Sequence, residues 1–303
     1  MLSNQTKGIN LAIVTALISG VSIFVNKCAV DAVQPPLFFT AAKNAGVALL
    51  ILGILLASRK WHQIKKLKKG EFIYLLLIGI IGGSLPFYLY FTGLSQIPAV
   101  NAALIHKTLV LWVALLAVPF LKEKMSKVQI AGVLLLFSAN FIIGGFKGFQ
   151  FSRGELFVLI ATILWAVENI LAKKILPRVD PDLIVAARMG VGAVVLLSAV
   201  AVTAPGVLSR GLVFTPTQWF WMILTVALLL GYVMSWYRAL KFAPAVSVTS
   251  VLVVSTLVTN ALSAIFITHS WNVILTIQSL LMMLGMGILW LVDRKRYKVL
   301  LAL

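Results

Sequence analysis

Apolar stretches about twenty residues long recur along almost the whole chain, separated by short polar connections. A bilayer core about 30 Å thick is crossed by roughly 20 residues at 1.5 Å each, so every such stretch can supply one membrane-spanning helix. They fall at 9–30, 36–57, 72–93, 98–121, 127–146, 154–176, 183–204, 217–238, 244–267 and 273–292. This predicts an all-α membrane protein of ten transmembrane helices. The longest polar connections, 58–71 and 203–218, are too short to house a soluble domain. The first apolar run follows a lone Lys7, and no small-residue cleavage pattern precedes the next span, so it is read as a retained helix.

The pattern also repeats. An offset of 146 residues places Lys27 on Lys173, Pro35 on Pro181, Leu94 on Leu240, Pro98 on Pro244, Ala99 on Ala245 and Phe120 on Phe266. Two units follow, 1–148 and 149–303. Five spans is an odd number, so the second copy enters the membrane inverted, a plan common among secondary transporters. Charge moves accordingly. Lys122, Glu123 and Lys124 match Thr268, His269 and Ser270, whereas uncharged Thr92 and Ser95 match Arg238 and Lys241.

Composition narrows the class. The chain is 61% hydrophobic with a mean hydropathy of +1.05, and 11% of it is charged, against about a quarter for a soluble domain. The formal charge of +18 would suggest nucleic acid in a soluble protein. Counted by connection, however, 19 of the 26 basic residues fall on one side and 4 on the other. Basic residues collect on cytoplasmic loops, so the expectation is a multi-pass protein of the cell (inner) membrane with both termini cytoplasmic and no nucleic-acid partner. The only Cys is Cys28, and no P-loop or HExxH motif occurs. An enzyme is therefore not expected, and no cofactor or metal is expected either.

The run IPAVNAALIHKTLVLWVALLAVPFLKEKMSKVQIAGVLLLFSANFIIG (97–144) resembles the fourth and fifth helices of EamA-type members of the drug/metabolite transporter superfamily. The positions that carry the likeness are Ala99, Ala102, Pro119, Leu121, Glu123, Ser126, Gln129 and Gly132. The second copy departs from it, with His269 and Ser270 where the acidic turn would be. The resemblance implies two five-helix repeats and export of a small metabolite such as an amino acid. It also implies a basic residue early in the seventh helix, here Arg188.

Ionisable groups within a span cost several kcal/mol unless they pair or meet water, which makes each a candidate site. Glu168 is the only acidic residue well inside a span. It shares a helical face with Trp165, Asn169 and Ala172, and the repeat places Ser19, Ser22, Ile23 and Asn26 on the matching face of the first helix. A buried carboxyl there could carry a proton through the transport cycle, or it could form a static pair with Lys107 or Arg188. Lys107 lies deep in the fourth helix. Lys43 and Arg188 sit closer to span ends, where snorkelling is an alternative. Tyr88, Tyr90 and Phe91 on the third helix correspond to Tyr232, Trp236 and Tyr237 on the eighth, as cavity walls or interfacial anchors.

The substrate-binding candidates are thus Lys107, Glu168, Arg188, Lys43, Asn169, Asn26, Ser22, Trp165, Tyr90 and Trp236, with Glu168 also the coupling-ion candidate. Pro86, Pro98 and Pro244 are expected to bend or break helices, and the glycine pairs at 82–83, 144–145 and 285–287 to allow close helix contact. Three basic residues against one acid inside the spans point to a partly anionic small-molecule substrate. A proton-coupled carrier by alternating access fits best; a passive facilitator or a lipid flippase shares the same features. The expected partners are that substrate and the lipid bilayer, with the protein a monomer or homodimer.

Overall fold

The computed structural model describes residues 4–94, 96–97, 99–140, 148–210, 213–267, 269–271 and 273–301. Among them the regular structure is helical. The elements are α1 Asn4–Ala32, α2 Pro36–Ala57, a 3-10 turn Lys60–Lys66, α3 Lys69–Gly83, α4 Leu85–Leu94, α5 Ala99–Lys107, α6 Leu109–Leu121 and α7 Lys127–Ala139. Then follow α8 Arg153–Ile175, α9 Pro181–Thr203, α10 Pro205–Arg210, α11 Pro216–Phe242, α12 Ala245–Leu252, α13 Ser255–Phe266 and α14 Val273–Leu301.

Eight helical stretches are long and apolar enough to cross a membrane, with α3–α4, α12–α13 and the end of α5 with α6 (Leu104–Leu121) each counted as one. The other two expected spans correspond to the shorter apolar helices Lys127–Ala139 and Val273–Leu289. Pro98 and Gly144–Gly145 lie outside the described residues, as does the end of the fifth expected span.

Helix starts are dictated locally. Ser126, Ser152 and Thr215 accept from the backbone N–H three residues on, while Gln129, Glu155 and Gln218 return the bond to the cap, forming three reciprocal capping boxes. Pro36, Pro181 and Pro216 open their helices, where a missing N–H costs nothing.

The repeat is visible in the elements themselves. Helices α5, α6 and α7 begin at 99, 109 and 127, and α12, α13 and α14 begin at 245, 255 and 273, so each start recurs at the sequence offset. The fourth and ninth spans are therefore interrupted at equivalent points, after Lys107 and after Leu252. Packing obeys the same exchange. Helix α1 packs on α11 and on α12–α13, and its counterpart α8 packs on α3–α4 and on α5–α6. Helices α2 and α9 pack on each other, as do α7 and α14. The third span breaks the symmetry: it divides at Ser84, whereas α11 runs unbroken. Of the last glycine pair, Gly285 approaches Leu136 closely but Gly287 has open space beside it, so only the first serves close packing.

Candidate functional site

Pro86 explains the break in the third span. In a continuous helix the N–H of residue 86 would bond the Gly82 carbonyl, and proline has none to give. Ser84 leaves the helical conformation, and its hydroxyl donates back to Ile80 O at 2.9 Å. The freed carbonyls are then taken by side chains from other helices. Gly82 O accepts from Trp165 Nε1 at 3.2 Å and Arg188 Nε at 3.4 Å, and Gly83 O accepts from Asn44 Nδ2 at 3.0 Å.

Around this point the structure gathers Glu168, Asn169 and Trp165 of α8, Arg188 of α9, and Trp236 and Tyr237 of α11, all buried. The Tyr237 hydroxyl donates to Glu168 Oε1 at 2.5 Å and accepts from Arg188 Nη1 at 3.2 Å. Arg188 Nη1 stands 3.9 Å from Glu168 Oε2. Trp236 Nε1 donates to Asn169 Oδ1 at 2.9 Å, and Asn169 Nδ2 donates to Trp165 O at 2.9 Å. The Trp236 ring stacks on Tyr232 at 6.0 Å between centroids. Helix α3 can approach Glu168 only because residue 82 lacks a side chain: a Cβ there would lie 2.4 Å from Glu168 Cγ.

Three further groups surround this cluster. Tyr90 and His106 pack on Trp165 with ring centroids 5.6 and 5.0 Å away, and His106 Nδ1 is buried without a hydrogen-bond partner. On α1 and α2, Lys43 Nζ donates to Asn26 Oδ1 at 3.3 Å and lies 4.7 Å over the Phe39 ring, and Asn26 Nδ2 reaches Ser22 Oγ at 3.4 Å. Lys107, the last residue before the break in the fourth span, donates to Ser255 Oγ at 3.2 Å. Ser255 is the first residue after the break in the ninth.

The ten sequence candidates therefore fall into a Glu168–Arg188 cluster with Trp165, Asn169 and Trp236, a Lys43–Asn26–Ser22 group, Tyr90 beside Trp165, and Lys107 on Ser255. The partner of Glu168 is Arg188 through Tyr237, and Lys107 pairs elsewhere. The sequence reading missed Ser255, Asn44 and the two glycine carbonyls. Only the proline four residues after Gly82 hinted at the last.

One end of the bundle carries a denser ionic network. Asp182, buried at the start of α9, accepts from Lys60 Nζ at 2.6 Å and Arg238 Nη2 at 2.6 Å, and Asp180 accepts from the same lysine at 3.1 Å. Lys173 Nζ donates to Leu240 O and Ala243 O. Glu123 accepts from Ala245 N at 2.7 Å and Val246 N at 3.3 Å. These side chains all come from connections that charge counting assigned to one side. At Lys60, partial burial opposes the charge, but hydrogen bonds and the charges of Asp182 and Asp180 outweigh it and raise the pKa above its ordinary value. At the other end Glu155 accepts from Asn101 Nδ2 at 2.7 Å. No group of three metal-ligating side chains occurs among the described residues.

The model of the EamA-like transporter family matches residues 6–145 and again residues 152–291. Among curated proteins, the uncharacterized transporter YyaM of Bacillus subtilis is 29% identical over 52% of this chain and 53% of its own length. The uncharacterized transporter YvbV of the same species is 31% identical over 59% and 61%. A Synechocystis uncharacterized transporter, sll1164, is 26% identical over 71% and 64%. The chain thus spans about half to two thirds of the length of these relatives. A solved crystal structure matches 96% of this chain and 99% of its own with a TM-score of 0.80 at 16% identity, a likeness of fold.

Proposed function

The chain belongs to the EamA-like transporter family, and from that premise we propose that it is a secondary carrier that exports a small carboxylate-bearing metabolite, such as an amino acid, by alternating access coupled to a proton. The observation that carries this reading is the meeting of Lys107 with the start of α13 at the two equivalent helix breaks. At these points residues 108, 253 and 254 stay right-handed helical while the chain tightens into 3-10 bonds, and Lys107 places a full charge there with the Ser255 hydroxyl as its hydrogen-bond partner among the described residues. Among the described residues no carboxylate forms an ion pair with Lys107. A cation within the membrane that lacks a carboxylate partner calls for an anion, and irregular points in spanning helices are where secondary carriers hold ionic groups of their substrates.

Glu168 is the proton-carrying group in this reading. Its hydrogen bond from Tyr237 and its loose approach to Arg188 give the carboxylate a polar partner and a counter-charge within the span, the kind of buried ionisable group that proton relays use. Lys43, Asn26 and Ser22 form a second polar step along the path, and Tyr90, Trp165 and Trp236 contribute apolar walls. The units are 1–148 and 149–303, both termini are cytoplasmic, and the carrier works as a monomer or homodimer.

Reconstitution tests the assignment. Purified protein in liposomes should catalyse saturable counterflow of an amino acid or organic acid, with Lys107→Gln raising KM and Glu168→Gln abolishing the response to a pH gradient. Lipid translocation without metabolite exchange would replace the carrier with a flippase. Wild-type pH dependence in Glu168→Gln would end the proton role.

A further inference from the structure

We propose that the 3-10 turn Lys60–Lys66 and the lysines that follow it form a binding site for the phosphate headgroups of anionic phospholipid. The turn joins α2, which ends at Ala57, to α3, which begins at Lys69, so it sits where the chain leaves the apolar layer and returns to it. Arg59, Lys60, Lys65, Lys66, Lys68 and Lys69 crowd this short connection against one acid, Glu71.

Ion pairing separates these cations into two sets. Lys60 turns inward and is spent on Asp180 and Asp182. Arg59, Lys65, Lys66, Lys68 and Lys69 are exposed and make no ion pair among the described residues. Arg238 and Lys173 at this end are held, by Asp182 and by two backbone carbonyls. Lys122, Lys127, Arg178 and Lys241 are also exposed without an ion pair among the described residues, but they are spread over three separate connections. The free set is therefore a local excess of positive charge that the protein itself does not answer.

Two apolar side chains favour a lipid over a soluble anion. Ile64 is 49% exposed in the middle of the cations, and half-buried Trp61 lies beneath Lys65, whose Nζ is 5.6 Å from its ring centroid. An aromatic and an aliphatic residue among lysines is the composition of a segment that rests at the headgroup level, apolar groups toward the acyl boundary and ammoniums toward phosphate. A free phosphate has no use for Ile64.

The same turn has an inner contact of consequence. Lys60 holds Asp182, and Asp182 also holds Arg238 of α11, so one short element ties the first repeat to two helices of the second. A lipid fixed on Lys65, Lys66, Lys68 and Lys69 would fix Lys60 with them and so stabilise that ion-paired end.

The test uses delipidated full-length protein in neutral detergent, titrated with phosphatidylglycerol, phosphatidylcholine or inorganic phosphate while its unfolding temperature is read. Phosphatidylglycerol should raise that temperature, and the other two should not. The variant carrying Lys65→Gln, Lys66→Gln, Lys68→Gln and Lys69→Gln should unfold at the same basal temperature and lose the increment. The Lys→Arg version should keep it. If the quadruple variant does not fold, Lys65→Gln with Lys66→Gln should reduce the increment by about half. Retention of the full phosphatidylglycerol response in the glutamine variants would overturn the site. An equal response to inorganic phosphate would overturn the lipid as its occupant.

Discussion

Glu168 and Arg188 stand 3.9 Å apart, and the Tyr237 hydroxyl lies between them, donating to the acid and accepting from the base. The pair is thus bridged more than it is bonded. Tyr237→Phe removes one hydrogen bond from each partner while keeping the ring. A hydrogen bond to a charged group is worth about 1.5–3 kcal/mol in water-soluble proteins, and intramembrane bonds average nearer ~0.6 kcal/mol. We expect a loss of about 1 kcal/mol, seen as a lower unfolding temperature, together with a change in the pH profile of transport. An unchanged profile with reduced stability would make Tyr237 a structural bridge alone.

Gly83 sets how closely α3 can approach α9. A Cβ at residue 83 would fall 2.0 Å from Arg188 O and 3.1 Å from Gly192 Cα, both backbone atoms that cannot rotate aside. Gly83→Ala should force the helices apart and cost about 1–3 kcal/mol or more, disturbing Arg188 with it. Gly53 and Gly190 have nothing within 4 Å of an added Cβ. Gly53→Ala and Gly190→Ala should gain about 0.5–1 kcal/mol from helix propensity alone. Thermal unfolding of the three variants decides whether contact or composition governs these glycines.

Asp182 binds two cations from different repeats, and its side chain is only 3% exposed, while those of Lys60 and Arg238 are 31% and 32% exposed. Solvent screens the cations, so Asp182→Asn should cost about 1–3 kcal/mol, below the cost of breaking a fully buried pair. Asp180→Asn should cost less than about 1 kcal/mol, because Lys60 keeps its second partner. The sign of the pH effect follows from Lys60, whose pKa is raised on folding. Its contribution is complete at neutral pH and is lost as pH climbs through the raised value. Lys60→Gln should therefore lower stability at pH 7 and flatten the alkaline side of the stability profile.

Much of this architecture was legible because its signals are strong and local. Twenty-residue apolar runs have little alternative to crossing a bilayer, and the offset that aligned Pro35 with Pro181 and Ala99 with Ala245 also aligns the helix starts. The four intramembrane charges were visible as rarities, yet their pairing was not. Lys107 and Arg188 were equal partners for Glu168 in sequence, and the choice was made by the break between α3 and α4, where Pro86 frees the Gly82 carbonyl that Trp165 of α8 and Arg188 of α9 both bind beside Glu168. The interruption after Lys107 had no proline or glycine to announce it. It emerges from the packing of α5–α6 on α8 and of α6 on α12, contacts that are remote in sequence.

Glu123 shows what a motif residue does in three dimensions. Read as part of an acidic turn after the fourth span, it reaches across to the second repeat and accepts from the first two N–H groups of α12. Pro244, the residue before α12, provides no side-chain cap, so the cap comes from the other half of the molecule. Glu123→Ala should cost about 0.5–2 kcal/mol, as loss of a helix cap does. Glu123→Gln keeps an acceptor and loses the charge that complements the helix dipole, which should cost about 0.3–1 kcal/mol. Helix α12 ends just before the break that brings Ser255 to Lys107, so loosening its start should also weaken substrate binding. The unfolding temperatures should rank wild type above Gln above Ala, with KM rising in the same order. An Ala variant of wild-type stability and KM would show that the cap is idle.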